Sequence, residues 1–482
     1  MAHSSPASPT SPASPASPIG RPEPPDPRRW RALALLGIAQ LMLILDVTVV
    51  NVALPDIGAD LGLGRATLTW VVTAYTLFFG GLMLLGGRLA DVFGARRLML
   101  AGLGIFVLAS LASGLANGAA ALVGGRIGQG LGAALLSPAA LATVTTTFHG
   151  AERTKALGVW AALGGAGSAV GVLLGGALTA GPGWRWIFFI NVPVGVAVLV
   201  ALPLIVRGGA AHPGPRRIDL PGALLVTAAT ASLIYGLVNA GDAGWGATVT
   251  LATVAAAAVL YAVFGVVERA VRTPLMRVRL LAQRPVLSGA FLMLVATGML
   301  IGLFFLGSFY LQRHQGYSAL LTGLLFLPVA VGTGLGAHLG SHLVDRLGGR
   351  IPAVAGLALA AAGTGLVALL TVTPAVMVTG LAVASVGLGA VFVSGTTTAL
   401  ALAAPEESGL ASGVVNTFHE LGGAVGVAVV SSLAAPSLIG PVLTGFTTAF
   451  TSWAVIGAVA ALVALALLPP GRLPAFDGPR VH

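Results

Sequence analysis

The sequence predicts an all-α integral membrane protein built as two six-helix bundles with two further helices inserted between them. Three observations carry this expectation: too little charge for a water-facing surface, apolar blocks recurring at spanning length, and a loop motif that occurs twice. Asp, Glu, Lys and Arg make up 8% of the 482 residues and apolar residues 56%, where a soluble domain carries about 25% charge. A backbone in lipid must satisfy its own polar groups, so the spans are helices or a closed barrel. Barrel strands alternate apolar and polar residues, whereas runs such as VAVLVALPLIV and GAVAALVALALL are apolar on every side. The spans are therefore helices. No cysteine is present, which excludes disulfides and thiol chemistry. The net charge of +10 comes without a basic groove carrying stacking aromatics, so no nucleic-acid partner is expected.

Residues 1–27 repeat Ser-Pro and Ala-Ser-Pro. They hold too few apolar residues to bury a core or to form a signal peptide, and are read as a disordered cytoplasmic tail. About 20 helical residues cross a bilayer core of ~30 Å. Apolar blocks bounded by charge or by Pro and Gly then fall near 32–53, 68–87, 98–116, 120–145, 156–179, 186–206, 218–239, 247–267, 287–311, 321–343, 351–371, 375–399, 410–433 and 447–468, giving fourteen spans. With both termini cytoplasmic, 21 basic residues fall on inside segments and only Arg65, Arg185 and Arg313 outside, while Arg126 lies within a span. That split fixes an even number of helices and accounts for the basic character, since these residues face an anionic leaflet.

The internal repeat sets the domain plan. GGRLADVFGAR at 86–96 reappears as GSHLVDRLGGR at 340–350, so Asp91 and Asp345 are 254 positions apart, as are Glu152 and Glu406. At roughly 32 residues per helix and loop, this offset is eight helices, two more than a six-helix repeat needs. Expected are bundles at 28–207 and 285–470, an inserted pair within 208–284, and a cytoplasmic tail at 471–482. Parallel repeats of this kind enclose a cavity at their interface in one large transporter class.

With these motifs the chain resembles the major facilitator superfamily, and within it the fourteen-helix drug:proton antiporters. LDVTVVNVALP at 45–55 is similar to that subgroup's first-helix signature, and WRWIFFINVPVG at 184–195 is typical of the entry to its sixth helix. RIGQG at 126–130 matches the fourth-helix motif, and Gly87 to Arg97 the loop between helices 2 and 3. The pattern departs from the family at Val92 and Ala95, where basic residues are usual, and at Val172 in GVLLGG, where the fifth-helix antiporter motif has Pro. Without that Pro the fifth helix should run straighter. The resemblance implies a conformational latch in which Asp91 caps a helix of the opposite bundle and engages Arg96 and Arg97, with Gly87 and Gly94 shaping the turn. Asp345, Arg346 and Arg350 are the symmetry counterparts.

Few ionisable groups remain in hydrocarbon, where each isolated charge costs at least about 2.5–3.5 kcal/mol at a helix centre. Asp46 and Arg126 sit at matching depth below the outer surface, so an ion pair or a shared watery cavity is expected; Gln129 shares the face of Arg126. Asp46, Arg126 and Glu420 are the expected proton-coupling residues. Asp46, Gln129, Asn416, His419 and Glu420 are the expected walls of a substrate cavity, although His419 also suits a hydrogen-bonded interior position. Asn51 and Pro55 are read as packing and helix termination. His338 and His342 are spaced for metal but lack a third ligand, so no metal site is expected. Glycines at four-residue spacing, Gly124, Gly128 and Gly132 on helix 4 and Gly167, Gly171 and Gly175 on helix 5, predict close helix approach, with Gly176 as a further packing position.

These readings give a non-enzymatic secondary transporter without a cofactor, since no Walker motif is present. The resemblance supplies export of a small hydrophobic or amphipathic drug or antibiotic in exchange for protons. Expected partners are that small-molecule substrate, protons and the lipid bilayer. The setting is a bacterial inner membrane, with the protein acting as a monomer. An importer or uniporter of metabolites or peptides on the same fold is the alternative. A polytopic membrane enzyme or lipid-handling protein is a remote one, because His149, His314 and His342 are scattered.

Overall fold

A computed structural model describes residues 28–148, 150–206, 219–271, 274, 283–370, 373–400, 408–440 and 442–471. The tail at 1–27, most of the linkers flanking the inserted pair, Glu406 and residues 472–482 lie outside these residues.

The helices are α1 (Arg29–Leu61), α2 (Arg65–Phe93), α3 (Ala95–Gly114), α4 (Ala119–Thr147), α5 (Gly150–Ala180), α6 (Trp186–Phe189) and α7 (Asn191–Ile205), then α8 (Leu220–Ala243) and α9 (Thr248–Ala270). They continue with α10 (Arg284–Phe309), α11 (Ala319–Leu325), α12 (Leu327–Leu347), α13 (Arg350–Leu369), α14 (Pro374–Leu400), α15 (Ser408–Leu433), α16 (Ala435–Ile439) and α17 (Thr444–Leu467). Thirteen spans among the described residues are long and apolar enough to cross a membrane, counting α6 with α7 and α11 with α12 as single crossings. The 31-residue α5 is the fourteenth long helix.

Differences from the sequence expectation cluster at proline. The tenth span breaks at Phe326, two residues before Pro328, and α16 is set off from α15 ahead of Pro436; in both cases the missing N–H and the ring end the preceding helix. Pro55, by contrast, is carried inside α1, which runs on to Leu61 instead of ending near residue 53. Gly62 at φ 61° caps it. The ninth span closes in a π turn, Tyr310–His314.

Both copies of the repeated motif use glycine for geometry. Gly94 (φ 93°) and Gly348 (φ 79°) end α2 and α12 in backbone space that L-residues rarely adopt. Gly86 brings α2 so close to α4 that a Cβ there would lie 1.9 Å from the Ala134 carbonyl oxygen.

α1 to α7 pack chiefly on one another, as do α10 to α17. The two groups meet chiefly along two seams, α2 against α15 and α5 against α11, and α1 also touches α10. Helix α8 lies on the first seam, touching both α2 and α15, with Ile234, Leu237 and Val238 packed on Leu77, Leu421 and Ala424. At the end of the molecule that carries Asp60, one apolar cluster crosses between the groups and includes Val52, Leu54, Phe305, Phe309 and Phe326.

Candidate functional site

Asp46 and Arg126 meet inside the first bundle. Both side chains are 1% exposed, and the Arg126 Nη1 donates to Asp46 Oδ2. A buried ion pair is tolerable only when its remaining polar atoms are also satisfied, and here they are. Gln129 Nε2 donates to Asp46 Oδ1 (2.8 Å) and to Ser110 Oγ (2.9 Å), while its Oε1 accepts from Arg126 Nη1 (2.9 Å). Asn191 Nδ2 donates to the same Asp46 Oδ1 at 3.1 Å. Arg126 Nε donates to the Val71 carbonyl at 2.8 Å, and the guanidinium lies 4.5 Å over the Tyr75 ring. Tyr75 in turn donates its hydroxyl to the Leu43 carbonyl at 3.3 Å. Four helices, α1, α3, α4 and α7, therefore converge on one carboxylate.

Beside this knot, α1, α5, α6 and α7 line a partly open cavity of about 230 Å³ whose walls are apolar except for Asp46 and Asn191. Gln129 does not line it. The residue is fully buried and its amide is occupied by Asp46, Ser110 and Arg126, which makes it a support for the pair and corrects its expected place on a cavity wall.

The second acid lies across the seam. Glu420 on α15 is half-buried against α2, where the Cβ position of Gly80 is 2.7 Å from Glu420 Cβ. Its carboxyl makes no hydrogen bond or ion pair among the described residues. Asn416 is half-buried one turn earlier on α15. His419 shares a hydrogen bond between its Nδ1 and Thr297 Oγ1 (2.8 Å) and packs on Phe392, an interior position within its own bundle.

At the opposite end from Asp60, the ion pair given to Asp91 is local: Arg88 Nη1 is 4.0 Å from its Oδ2, and the Asp91 side chain is 63% exposed. Arg96 donates to the Pro203 carbonyl at the end of α7 (3.1 Å), Arg97 is exposed, and Gly87 makes only ordinary contact with Pro138. Asp345 and Arg346 are exposed, and the Arg350 Nε is buried without a partner among the described residues.

Of the expected glycine contacts on α4, Gly128 and Gly132 face Ala109 and Gly102, but Gly124 faces open space. The neighbouring Gly125 packs there instead, against Ser113; one residue is 100° of helix rotation. On α5, Gly167, Gly171 and Gly175 lie against α1, and Gly176 against Ala319 of the other bundle. Asn51 donates to the Val47 carbonyl of its own helix (2.8 Å). Ser110, Tyr75 and Asn191 belong to the site without being among the residues expected from the sequence. Only Asn191 carried a signal, as the one amide opening an apolar run.

The family model described as Major Facilitator Superfamily matches residues 36–427. The chain belongs to the Major Facilitator Superfamily. Its relatives within that superfamily include the puromycin resistance protein pur8 of Streptomyces alboniger, 41% identical with 85% of this chain and 82% of that protein covered. The lincomycin resistance protein of Streptomyces lincolnensis is 38% identical over 92% of both chains. The cephamycin export protein CmcT of Amycolatopsis lactamdurans is 38% identical over 83% of each. Among solved structures, an auto-inhibited POT family peptide transporter superposes with a TM-score of 0.66 at 18% identity, covering 93% of this chain and 99% of that one. A bacterial homologue of the lysosomal transporter Spinster, inward-facing and occupied, gives 0.65 at 17%, covering 92% and 98%. These two share the fold. As a Major Facilitator Superfamily member the chain is a multi-pass membrane transporter and not an enzyme.

Proposed function

We propose that this transporter exports small hydrophobic or amphipathic compounds, antibiotics among them, in exchange for protons. The observation that carries the proposal is the desolvated Asp46 carboxylate held by Arg126, Gln129 and Asn191. Its charge is affordable in hydrocarbon only while the guanidinium is against it. A proton delivered to Asp46 removes the charge that Arg126 balances, leaving the guanidinium to the Val71 carbonyl and the Tyr75 ring, and so shifts the packing of α1 against α4. Glu420 supplies a second protonatable carboxyl on the facing bundle. The export and resistance names of the relatives support the direction of transport. Two acids, one of them paired, suit monovalent cations or neutral compounds.

The rocking bodies are 28–207 and 285–470, acting as a monomer in a bacterial inner membrane with both termini cytoplasmic. The Asp60 end is then extracellular. The apolar cluster that joins the two groups at that end supports a state closed to the exterior. Rocking outward would bring Asp91 and its neighbours, with their counterparts around Asp345, into the latch.

The test is substrate-induced proton release from everted vesicles under an imposed proton gradient, with puromycin and lincomycin first in the compound panel. The wild type releases protons with at least one compound, and Asp46→Asn reduces release at least tenfold. Proton-driven export by Asp46→Asn at the wild-type rate would overturn the assignment.

A further inference from the structure

The three basic residues on the extracellular side are all bound. Arg185 pairs with Asp60 at 2.7 Å and Arg313 donates to the Leu438 carbonyl at 2.9 Å. Arg65 is the one that ties three bodies together. From the start of α2, its Nη2 lies 2.7 Å from Asp242 Oδ1 and donates to the Val238 carbonyl (2.7 Å), both on the inserted helix α8. Its Nη1 donates to Ser431 Oγ of α15 in the second bundle (3.0 Å), and Thr69 Oγ1 lies 2.6 Å from that same hydroxyl. Gly241 leaves room for the guanidinium, since a Cβ there would be 2.8 Å from Arg65 Cζ. The Arg65 side chain is 2% exposed, Asp242 47%.

We propose that Arg65 is the residue that holds the extracellular gate, and that α8 moves with the first bundle as part of that gate. The inference rests on the alternating-access orientation given above. Opening the extracellular side must separate α2 from α15, and the polar bonds across that seam at this end converge on Ser431. Toward α8, Arg65 has an opposite charge and a carbonyl; toward α15 it has one neutral hydroxyl. The bond to a neutral group is the weaker, so the seam parts at Ser431 while the Asp242 pair holds. Close packing of Thr227 against Gly81 of α2, 2.7 Å from a Cβ position there, binds α8 to the first bundle further. A buried guanidinium that loses a partner needs another or water, and the opening cleft admits water to Arg65 as Ser431 leaves.

The chain has no native cysteine, which permits a direct test. Thr322 is fully buried at the extracellular end of the α5–α11 seam, beside the close approach of Gly323 to the Val172 carbonyl. Thr322→Cys in whole cells is labelled by a membrane-impermeant maleimide only when this side opens. Adding Arg65→Gln raises the labelling rate about tenfold, as expected for the loss of charge-assisted bonds; labelling at the background rate overturns the proposal. Labelling is read without substrate or a proton gradient, so an absence of proton-coupled export is a separate result. If Arg65→Gln does not reach the membrane, disulfides decide. Thr69→Cys with Ser431→Cys, once oxidised, stops labelling of Thr322→Cys by a reagent added afterwards, and reduction restores it; continued labelling through the disulfide overturns the gate. Gly81→Cys with Thr227→Cys, whose Cβ positions are 3.3 Å apart, leaves labelling intact when oxidised. Arrest there overturns the assignment of α8 to the first bundle.

Discussion

Asp46 takes its bonds from donors of unequal kind: a guanidinium on α4, a primary amide on the same helix and a second amide at the start of α7. Removing the second amide leaves the ion pair standing, so its effect separates tuning from charge balance. Asn191→Leu is expected to preserve folded protein and to lower proton-coupled export about tenfold or more, because one hydrogen bond to a charged group is worth about 1.5–3 kcal/mol. Transport assayed beside detergent-solubilised melting curves checks this; an unchanged export rate would make Asn191 a packing residue. The ionisable members of this site were legible in the sequence because a charge in hydrocarbon demands a partner, and equal depth left Asp46 and Arg126 few choices. Ser110 and Tyr75 were not legible. A serine hydroxyl can bond its own backbone in an apolar helix and a tyrosine there reads as one more aromatic core residue, so neither signals anything until the helices are packed.

At the scale of the element, glycine decides how near the helices come. Gly86 is the severest case, with a neighbouring carbonyl oxygen 1.9 Å from the position a Cβ would take. Gly86→Val must push α2 from α4, and overpacking of this kind costs about 1–3 kcal/mol or more. The expected outcome is a sharp fall in monodisperse protein on size-exclusion chromatography, whereas Gly124→Val, with open space at its Cβ, elutes as the wild type. The spans themselves were readable from hydropathy, since the bilayer dictates their length. Their interruptions at Phe326 and Ala434 each come two residues before a proline, yet Pro55 leaves α1 intact. Hydropathy does not distinguish these cases because the outcome depends on what packs around the broken turn. The same limit applied to α4, where four-residue spacing suggested a face but only packing showed that Gly125 and not Gly124 lies on it.

For the whole molecule, the relation between the two bundles is what transport changes. The Asp46 pair lies inside the first bundle, while Glu420 on α15 packs against Gly80 of α2 across the seam. Glu420→Gln is expected to reduce substrate-induced proton release at least tenfold while energy-independent counterflow of the same substrate continues. Equal loss of both would assign Glu420 to substrate binding, and no loss of either would make it structural. The repeat offset of 254 residues foretold two bundles and an extra pair, but not where the pair would rest. Its position over the α2–α15 seam is a matter of surface complementarity that no spacing encodes.

The length of α1 has a practical outcome. Its 33 residues span about 50 Å at 1.5 Å each, well beyond the ~30 Å hydrocarbon core. The surplus projects past the bilayer, where Asp60 accepts from Trp184 (3.0 Å) and Arg185 (2.7 Å). In the proposed orientation this knob stands on the cell exterior, is built wholly from the first bundle, and connects through one continuous helix to the Asp46 carboxylate. An antibody fragment raised against it would grip a tiller, reporting or arresting the tilt of that bundle in living cells without entering the translocation path.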